Sequence, residues 1–112
     1  MATMPVDPLA SFARAQKAFE HLNLFRLVHG ADAEGKWVAI SLADGTCDQK
    51  PYASKREAVR FQKYETQCAY LCVTGMPTLG ELRYYLDENE QLYDQGLSLA
   101  DPDSYVNPEA LL

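Results

Sequence analysis

Apolar residues recur every three or four positions near the start of the chain, which is the spacing of one face of an α-helix. Asp7 followed by Pro8 has the pattern of a helix N-cap with proline at the first helical position, where its missing N–H is not needed. The apolar positions of this face are Phe12, Ala15, Phe19 and Leu22. We therefore predict a first helix over residues 8–22, ended by Asn23.

The next two apolar runs predict strands. The run LFRLV is followed by Gly30, which favours a strand over residues 24–29. A second strand is predicted over 36–43, where apolar residues alternate with polar or small ones. The alternate residues expected to face the core are Val38, Ile40 and Leu42. The short glycine-containing loop between the two runs predicts that they pair as an antiparallel hairpin.

Two capping boxes predict the remaining helices. Ser54 with Glu57 predicts a helix from Lys55 to Glu65, and Thr78 with Glu81 predicts another from Leu79 to a C-cap at Gly96. The residues expected to form the buried side of the first of these helices are Ala58, Val59 and Phe61. Between them, the apolar run CAYLCV predicts a strand over residues 68–73.

These elements give an α+β fold in the order α-β-β-α-β-α, with a small antiparallel sheet of about three strands and helices packed on it. We predict one compact domain over residues 1–96, followed by an acidic, proline-containing tail, residues 97–112, that is partly docked on the domain. A hydrophobic fraction of 47% in 112 residues suffices for one core. The unpaired edges of short strands also leave room for a homo-oligomer.

The start of the chain lacks the basic and apolar regions of a signal peptide, and no apolar run is long enough to span a membrane. Three cysteines without an export signal favour reduced thiols. We therefore expect a cytoplasmic protein that does not associate with membranes.

Charge is distributed unevenly within a net charge of −6. Residues 73–112 carry one basic and eight acidic side chains, an imbalance that repels nucleic acid and attracts basic surfaces. Basic residues instead follow the predicted helix at residues 55–65, with aromatic residues nearby. This face is a candidate binding surface for a partner, and its residues are Lys50, Tyr52, Lys55, Arg56, Arg60 and Lys63.

Tyr84 and Tyr85 are also candidate partner-binding residues. Their side chains diverge by about 100° on a helix, so at least one should be exposed, and exposed tyrosines are frequent anchors at protein interfaces. The alternative interpretation is that both lie at the margin of the core.

Candidate catalytic and metal-binding groups are sparse. Cys68 and Cys72 lie about 13 Å apart along a strand at roughly 3.3 Å per residue, too far to share one ion. Cys47 and His29 are the remaining candidates for a nucleophile and base, or for a zinc site if 68–72 were helical, but no spacing selects them. Asp44 and Asp48 fit a turn better than a calcium loop. We predict no enzyme activity, no metal and no cofactor.

The pattern WVAISLADGTCDQKPYASKREAVRFQ, followed by CAYLCV and ELRYYLDENEQLYDQGLSLADPD, resembles a family of small uncharacterised proteins in phages of actinobacteria. The shared features are a tryptophan-led strand, a DG turn, a tyrosine before a capped basic helix and an LYDxG…DPD ending, over residues 36–103. Cys47 stands where the family pattern has serine. The resemblance implies a phage origin and no catalytic residues.

Three functions follow as hypotheses. The first is a phage accessory protein that binds a host protein, including a defence protein, and inhibits or redirects it. The second is an accessory module that binds nucleic acid through the basic face of residues 50–64, which the acidic balance disfavours. The third is a small metal-binding protein or enzyme.

Overall fold

The structure is a computed structural model that describes residues 7–94. Its elements are α1 (Pro8–His29), a short 3-10 turn (Gly30–Ala33), β1 (Lys36–Ser41), α2 (Lys55–Phe61), β2 (Cys68–Val73) and α3 (Leu79–Asp94). The α+β class is confirmed. The predicted tail at 97–112, the domain boundary at 96 and the C-cap at Gly96 lie outside the described residues.

The predicted strand at 24–29 is wrong, because these residues form the last turns of α1. Asn23 therefore does not end the helix. Phe25 is fully buried and continues the helical series of buried residues that includes Ala18 and Leu22. Leu24, Leu27 and Val28 lie on the exposed side of the helix. Because they are apolar as well, the 3.6-residue hydrophobic period of the helix is not visible in this part of the sequence.

Both ends of α1 are capped. The Asp7 carboxylate accepts the N–H of Leu9 at 3.0 Å, as the N-cap pattern predicted. At the other end Gly30 adopts a φ of 57°, and its N–H donates to the carbonyl oxygen of Arg26. Glycine tolerates this positive φ without the steric cost that a side chain would add.

Across residues 7–94 the sheet contains two antiparallel strands rather than about three. β1 pairs with β2, from Lys36 opposite Val73 to Ser41 opposite Cys68, so the predicted hairpin is wrong. An irregular segment, residues 46–52, borders the other edge of β1 through single bridges. That edge is thus covered by a loop instead of a third strand.

Helices cover both faces of the sheet. α1 and α3 pack on one face, around Val38 and Ile40, and α2 packs on the other around Ala39. Val38, Ile40 and Leu42 are buried as predicted. Ala39 and Ser41 are buried as well, because the opposite face is also covered.

α2 begins as the sequence predicts and ends early. The hydroxyl of Ser54 accepts the N–H of Glu57 at 3.1 Å, which is one half of the capping box. The helix stops at Phe61, before the predicted Glu65. The hydroxyl of Tyr52 donates to the carbonyl oxygen of Phe61 at 3.1 Å and so satisfies a group that has no partner within the helix.

α3 begins with a complete capping box. The N–H of Thr78 donates to Glu81 Oε1 at 2.9 Å, and the N–H of Glu81 donates to Thr78 Oγ1 at 3.1 Å. Hydrogen bonds from the backbone and the side chain of Thr78 lower the pKa of the Glu81 carboxyl. The predicted start at Leu79 is confirmed, and Leu82 and Leu86 are buried against the sheet and α1.

A buried polar network joins α1 to α3. Arg14 lies 2.5 Å from Asp87 Oδ1 and 2.5 Å from Glu90 Oε2. Ser11 donates to Asp87 at 2.8 Å, and Arg83 donates to Ser11 at 2.9 Å. Because contacts advance together along both helices, α1 and α3 run in the same direction. The sequence analysis did not single out any of these five residues.

Candidate partner-binding surface

The candidate basic residues lie on and beside α2, on the outer side of the sheet face that α2 covers. Ala58 is fully buried and fixes the helix to this face, packed in a cluster with Tyr70 and Ala39. Arg56 and Arg60 lie on the side of α2 opposite Ala58, so burying Ala58 holds these two cations outward.

We define the basic face as five exposed residues, which are Lys50, Arg56, Arg60, Phe61 and Lys63. Arg56, Arg60 and Lys63 were predicted to lie on a solvent-facing stripe, and all three are exposed; Lys50, predicted in the preceding loop, is exposed as well. Lys55 is half-buried and lies at the margin of the face.

Aromatic rings lie close to three of the cations. The guanidinium carbon of Arg60 is 5.4 Å from the centroid of the Phe61 ring. The ammonium groups of Lys63 and Lys50 lie 5.6 Å from the rings of Tyr64 and Tyr52. Contacts of this kind contribute about 0.5–1 kcal/mol at exposed sites. They hold the charged ends near apolar surface instead of leaving them extended into water.

Phe61 contradicts its predicted place in the core. Its side chain is 56% exposed, whereas Ala58 is buried and Val59 half-buried as expected. The prediction failed because α2 ends at Phe61, and the last residue of a short helix extends past the sheet that the helix covers. Phe61 is therefore a candidate binding residue that the sequence analysis missed, and hydrophobicity alone did not distinguish it.

The prediction for Tyr52 is also wrong, because this residue was expected at the surface and is buried. It was a candidate partner-binding residue, but its side chain is 1% exposed. Its single hydroxyl proton is shared between Asp48 Oδ2 at 2.7 Å and the carbonyl oxygen of Phe61 at 3.1 Å, and the carboxylate is the closer acceptor. Burial, followed by the hydrogen bond to Asp48, raises the pKa of the Tyr52 phenol. Tyr52 therefore anchors the 46–52 segment to the end of α2 and positions Phe61.

The two tyrosines of α3 lie on the other side of the sheet from α2. Tyr84 is 69% exposed, as expected for at least one of the pair. Tyr85 is half-buried, and its hydroxyl donates to the carbonyl oxygen of Tyr70. The structure thus places the basic residues on and beside α2, leaves Tyr84 on a separate surface, and gives Tyr85 a structural contact.

The two histidines hold the 46–52 segment against α1. The N–H of Cys47 donates to Nδ1 of His21 at 3.0 Å, and Nε2 of His29 contacts the carbonyl oxygen of Gln49 at 3.1 Å. The sulfur of Cys47 lies near the carbonyl oxygens of Ala18 and Gly45. Cys47 and His29 therefore do not form the nucleophile and base pair considered from the sequence. His21 lies within α1.

All three cysteines are free. Cys68 and Cys72 lie on one strand, as predicted. Across residues 7–94, no three His, Cys, Asp or Glu side chains are grouped so that they could hold a metal ion. Asp44 forms the predicted turn, accepting the N–H and hydroxyl of Thr46 at 3.1 and 2.9 Å.

We expect the protein to lose stability at alkaline pH. Burial raises the pKa of the Cys47 thiol from 9.0 to about 12, with a smaller effect of the Asp48 charge, and burial raises that of Cys68 to about 11. In the unfolded chain these thiols ionise near pH 9.0. The free energy of unfolding therefore keeps its full value below that pH and falls as the pH rises towards 12, because only the unfolded chain can ionise its thiols readily in this range. Urea unfolding at several pH values between about 8 and 11 measures this slope.

The matched variant is Cys47→Ala, which removes one of the two raised thiols. Its unfolding midpoint should fall less steeply with pH than that of the wild-type protein. Equal slopes in the two proteins would show that Cys47 does not couple folding to pH.

Within the described part of the chain, no helix has the length and apolar character needed to cross a membrane. No protein-family model, curated protein or solved structure matches the chain.

Proposed function

We propose that the protein is a non-catalytic binding module whose basic face contacts an acidic segment of a protein partner. The observation that carries the proposal is the exposed ring of Phe61 with Arg60 directly beside it. Aromatic and arginine side chains dominate the energetics of protein interfaces, because they combine apolar area with directed hydrogen bonds. An exposed apolar ring with a cation beside it suits a partner segment that has an apolar residue next to a carboxylate.

The position of α2 supports this assignment electrostatically. α3, which carries Asp87, Glu88 and Glu90, packs on the opposite face of the sheet. Asp87 and Glu90 are further neutralised by Arg14. The basic face therefore lies apart from the acidic side chains of α3 in a protein of net charge −6.

A catalytic role has less support. The buried thiol of Cys47 has a pKa near 12, so the nucleophilic thiolate is scarce at neutral pH. Its sulfur contacts carbonyl oxygens rather than an imidazole. The resemblance to phage proteins makes a host protein the natural partner, and binding would inhibit or redirect it.

Affinity capture from lysate of a candidate host, compared between matched variants, tests the proposal. The wild-type protein should enrich a specific host protein, and Phe61→Ser should lose it. Phe12→Ser is the control, since Phe12 is an exposed phenylalanine on α1, away from the basic face. A partner that Phe61→Ser retains, or that Phe12→Ser loses equally, contradicts the assignment of the surface.

Nucleic acid is the second candidate, because cations close to the exposed ring of Phe61 also suit phosphates and bases. Fluorescence anisotropy with labelled single-stranded and duplex DNA and RNA at about 50 mM salt tests it. Binding that weakens steeply with salt and disappears in Arg60→Glu/Lys63→Glu would replace the protein partner with a nucleic acid. The proposal predicts no such binding.

A further inference from the structure

The outer face of α1, which is the side turned away from the sheet, carries apolar residues at both ends. Leu9 and Leu27 are each 82% exposed, and Val28 is 65% exposed. Leu24 is 47% exposed and lies between them on the same side. Exposed apolar area clustered on one face of a helix favours association, because covering it removes that area from water.

The middle of the same face is polar and bears both charges. Gln16, Lys17 and Glu20 are exposed there, between an apolar start at Leu9 and an apolar end at Leu27. The residues of the face repeat at the three- and four-residue spacing of a helix-packing stripe. They are Leu9, Ala13, Gln16, Glu20, Leu24 and Leu27.

We propose that a second copy of the chain covers this face, through an antiparallel pairing of the two α1 helices about a two-fold axis. Such a contact is isologous, since each copy contributes the same surface and the assembly closes as a dimer. The proposal rests on residues separate from the basic face and does not depend on the proposed function.

The register of this pairing follows from the length of the helix. α1 runs from residue 8 to residue 29, so complete antiparallel overlap places residue i beside residue 37 − i of the second copy. Leu9 then lies beside Val28, and Leu24 lies beside Ala13. The apolar end of each helix thereby covers the apolar start of the other.

The same register brings opposite charges together. Residue 17 lies beside residue 20 of the second copy, which pairs Lys17 with Glu20 twice across the two-fold axis. A parallel pairing in register would instead place Lys17 beside Lys17 and Glu20 beside Glu20, and like charges repel. The complete antiparallel overlap of the two helices therefore also places opposite charges beside each other.

The dimer leaves the binding surface accessible. α1 and the basic face of α2 lie on opposite sides of the sheet, so pairing through α1 turns two basic faces outward. Two linked sites increase the apparent affinity for a partner with repeated or oligomeric acidic segments.

Sedimentation velocity of the full chain from about 1 to 200 µM tests the dimer, a range suited to an interface near the lower end of stable contacts. The wild-type protein should show a monomer–dimer equilibrium, and Leu27→Glu should be monomeric throughout. Tyr84→Glu is the control, because it places the same charge at an exposed site on α3, and it should dimerise as the wild type does. A wild-type monomer at 200 µM, or a dimer unaffected by Leu27→Glu, overturns the proposal.

A charge exchange tests the register. Lys17→Glu and Glu20→Lys should each weaken dimerisation about 10-fold, because each converts two attractive pairs into repulsive ones. The dimer dissociation constant of the double variant should return to within about 3-fold of the wild-type value, since this variant restores both ion pairs with their signs exchanged. Single variants without effect, or a double variant as weak as the singles, overturn this register. Circular dichroism of each variant verifies that α1 is intact.

Discussion

Replacing Arg14 with methionine should lower the free energy of unfolding by about 3–5 kcal/mol, the range expected when one partner of a buried ion pair is removed. The Arg14 side chain is 7% exposed and lies between Asp87 and Glu90. Its guanidinium also donates to the carbonyl oxygen of Leu42 at 3.2 Å. Methionine leaves the partly buried carboxylate of Asp87 without its cation, and it leaves the carbonyl oxygen of Leu42 without its donor.

Arg26→Met is the matched control. Arg26 lies on the same helix and pairs with Glu34 at 3.2 Å, but both side chains are about one third to one half exposed. A solvent-accessible pair of this kind contributes only about 0–1 kcal/mol. Urea unfolding of both variants measures the difference. A loss below about 1 kcal/mol in Arg14→Met would mean that the network does not hold α1 to α3.

Gly45→Ala should have a comparable or larger effect, lowering stability by about 3 kcal/mol or more. Gly45 has a φ of 82°, and a Cβ built on it would lie 2.1 Å from the carbonyl oxygen of Arg14. Backbone atoms of a helix cannot move aside as the end of a side chain can, so the 42–46 loop must detach from α1. That loop leads into the 46–52 segment, which positions Tyr52 and thereby the end of α2.

The control for this substitution is Gly35→Ala. Gly35 has a similar φ of 77°, but nothing lies within 4 Å of an added Cβ. The free energy of unfolding of Gly35→Ala should fall only by the cost of placing alanine in the left-handed conformation, about 1–2 kcal/mol. Thermal unfolding of both variants separates the backbone strain from the clash. Equal losses would show that Gly45 is not in close contact with α1.

Local signals in the sequence predicted the helix starts well. Asp7, Ser54 and Thr78 each accept the backbone N–H that their capping patterns require. Capping depends on residues within one turn, so the chain itself contains the information. Strand β2 was also predicted correctly, because Gly75 and Pro77 bound a short apolar run.

The errors come from contacts between distant segments. Residues 24–29 contain enough apolar residues for a strand, and only the docking of Phe25 beneath the sheet identifies them as helix. The edge of β1 that this strand was expected to occupy is covered by the 46–52 segment. The hydrophobic periodicity of the sequence does not indicate which segment will cover an edge of β1.

The candidate surface was predicted in part for the same reason. Basic residues on α2 are exposed because their charge requires water, which the sequence can indicate. Tyr52 was expected at the surface and is buried, whereas Phe61 was expected in the core and is exposed. Both outcomes depend on where α2 ends, and on the hydrogen bond between the Tyr52 hydroxyl and the carbonyl oxygen of Phe61. The Arg14 network, whose members lie far apart in the chain, had no local signal beyond the spacing of its charges.

The most direct test of the central claim is the affinity of the captured partner for matched variants, measured by isothermal titration calorimetry. Phe61→Ser should weaken binding at least 10-fold, as the loss of a central aromatic anchor predicts, and Phe12→Ser should leave the affinity unchanged. Unchanged affinity in Phe61→Ser would contradict the proposal that the basic face of α2 binds the partner.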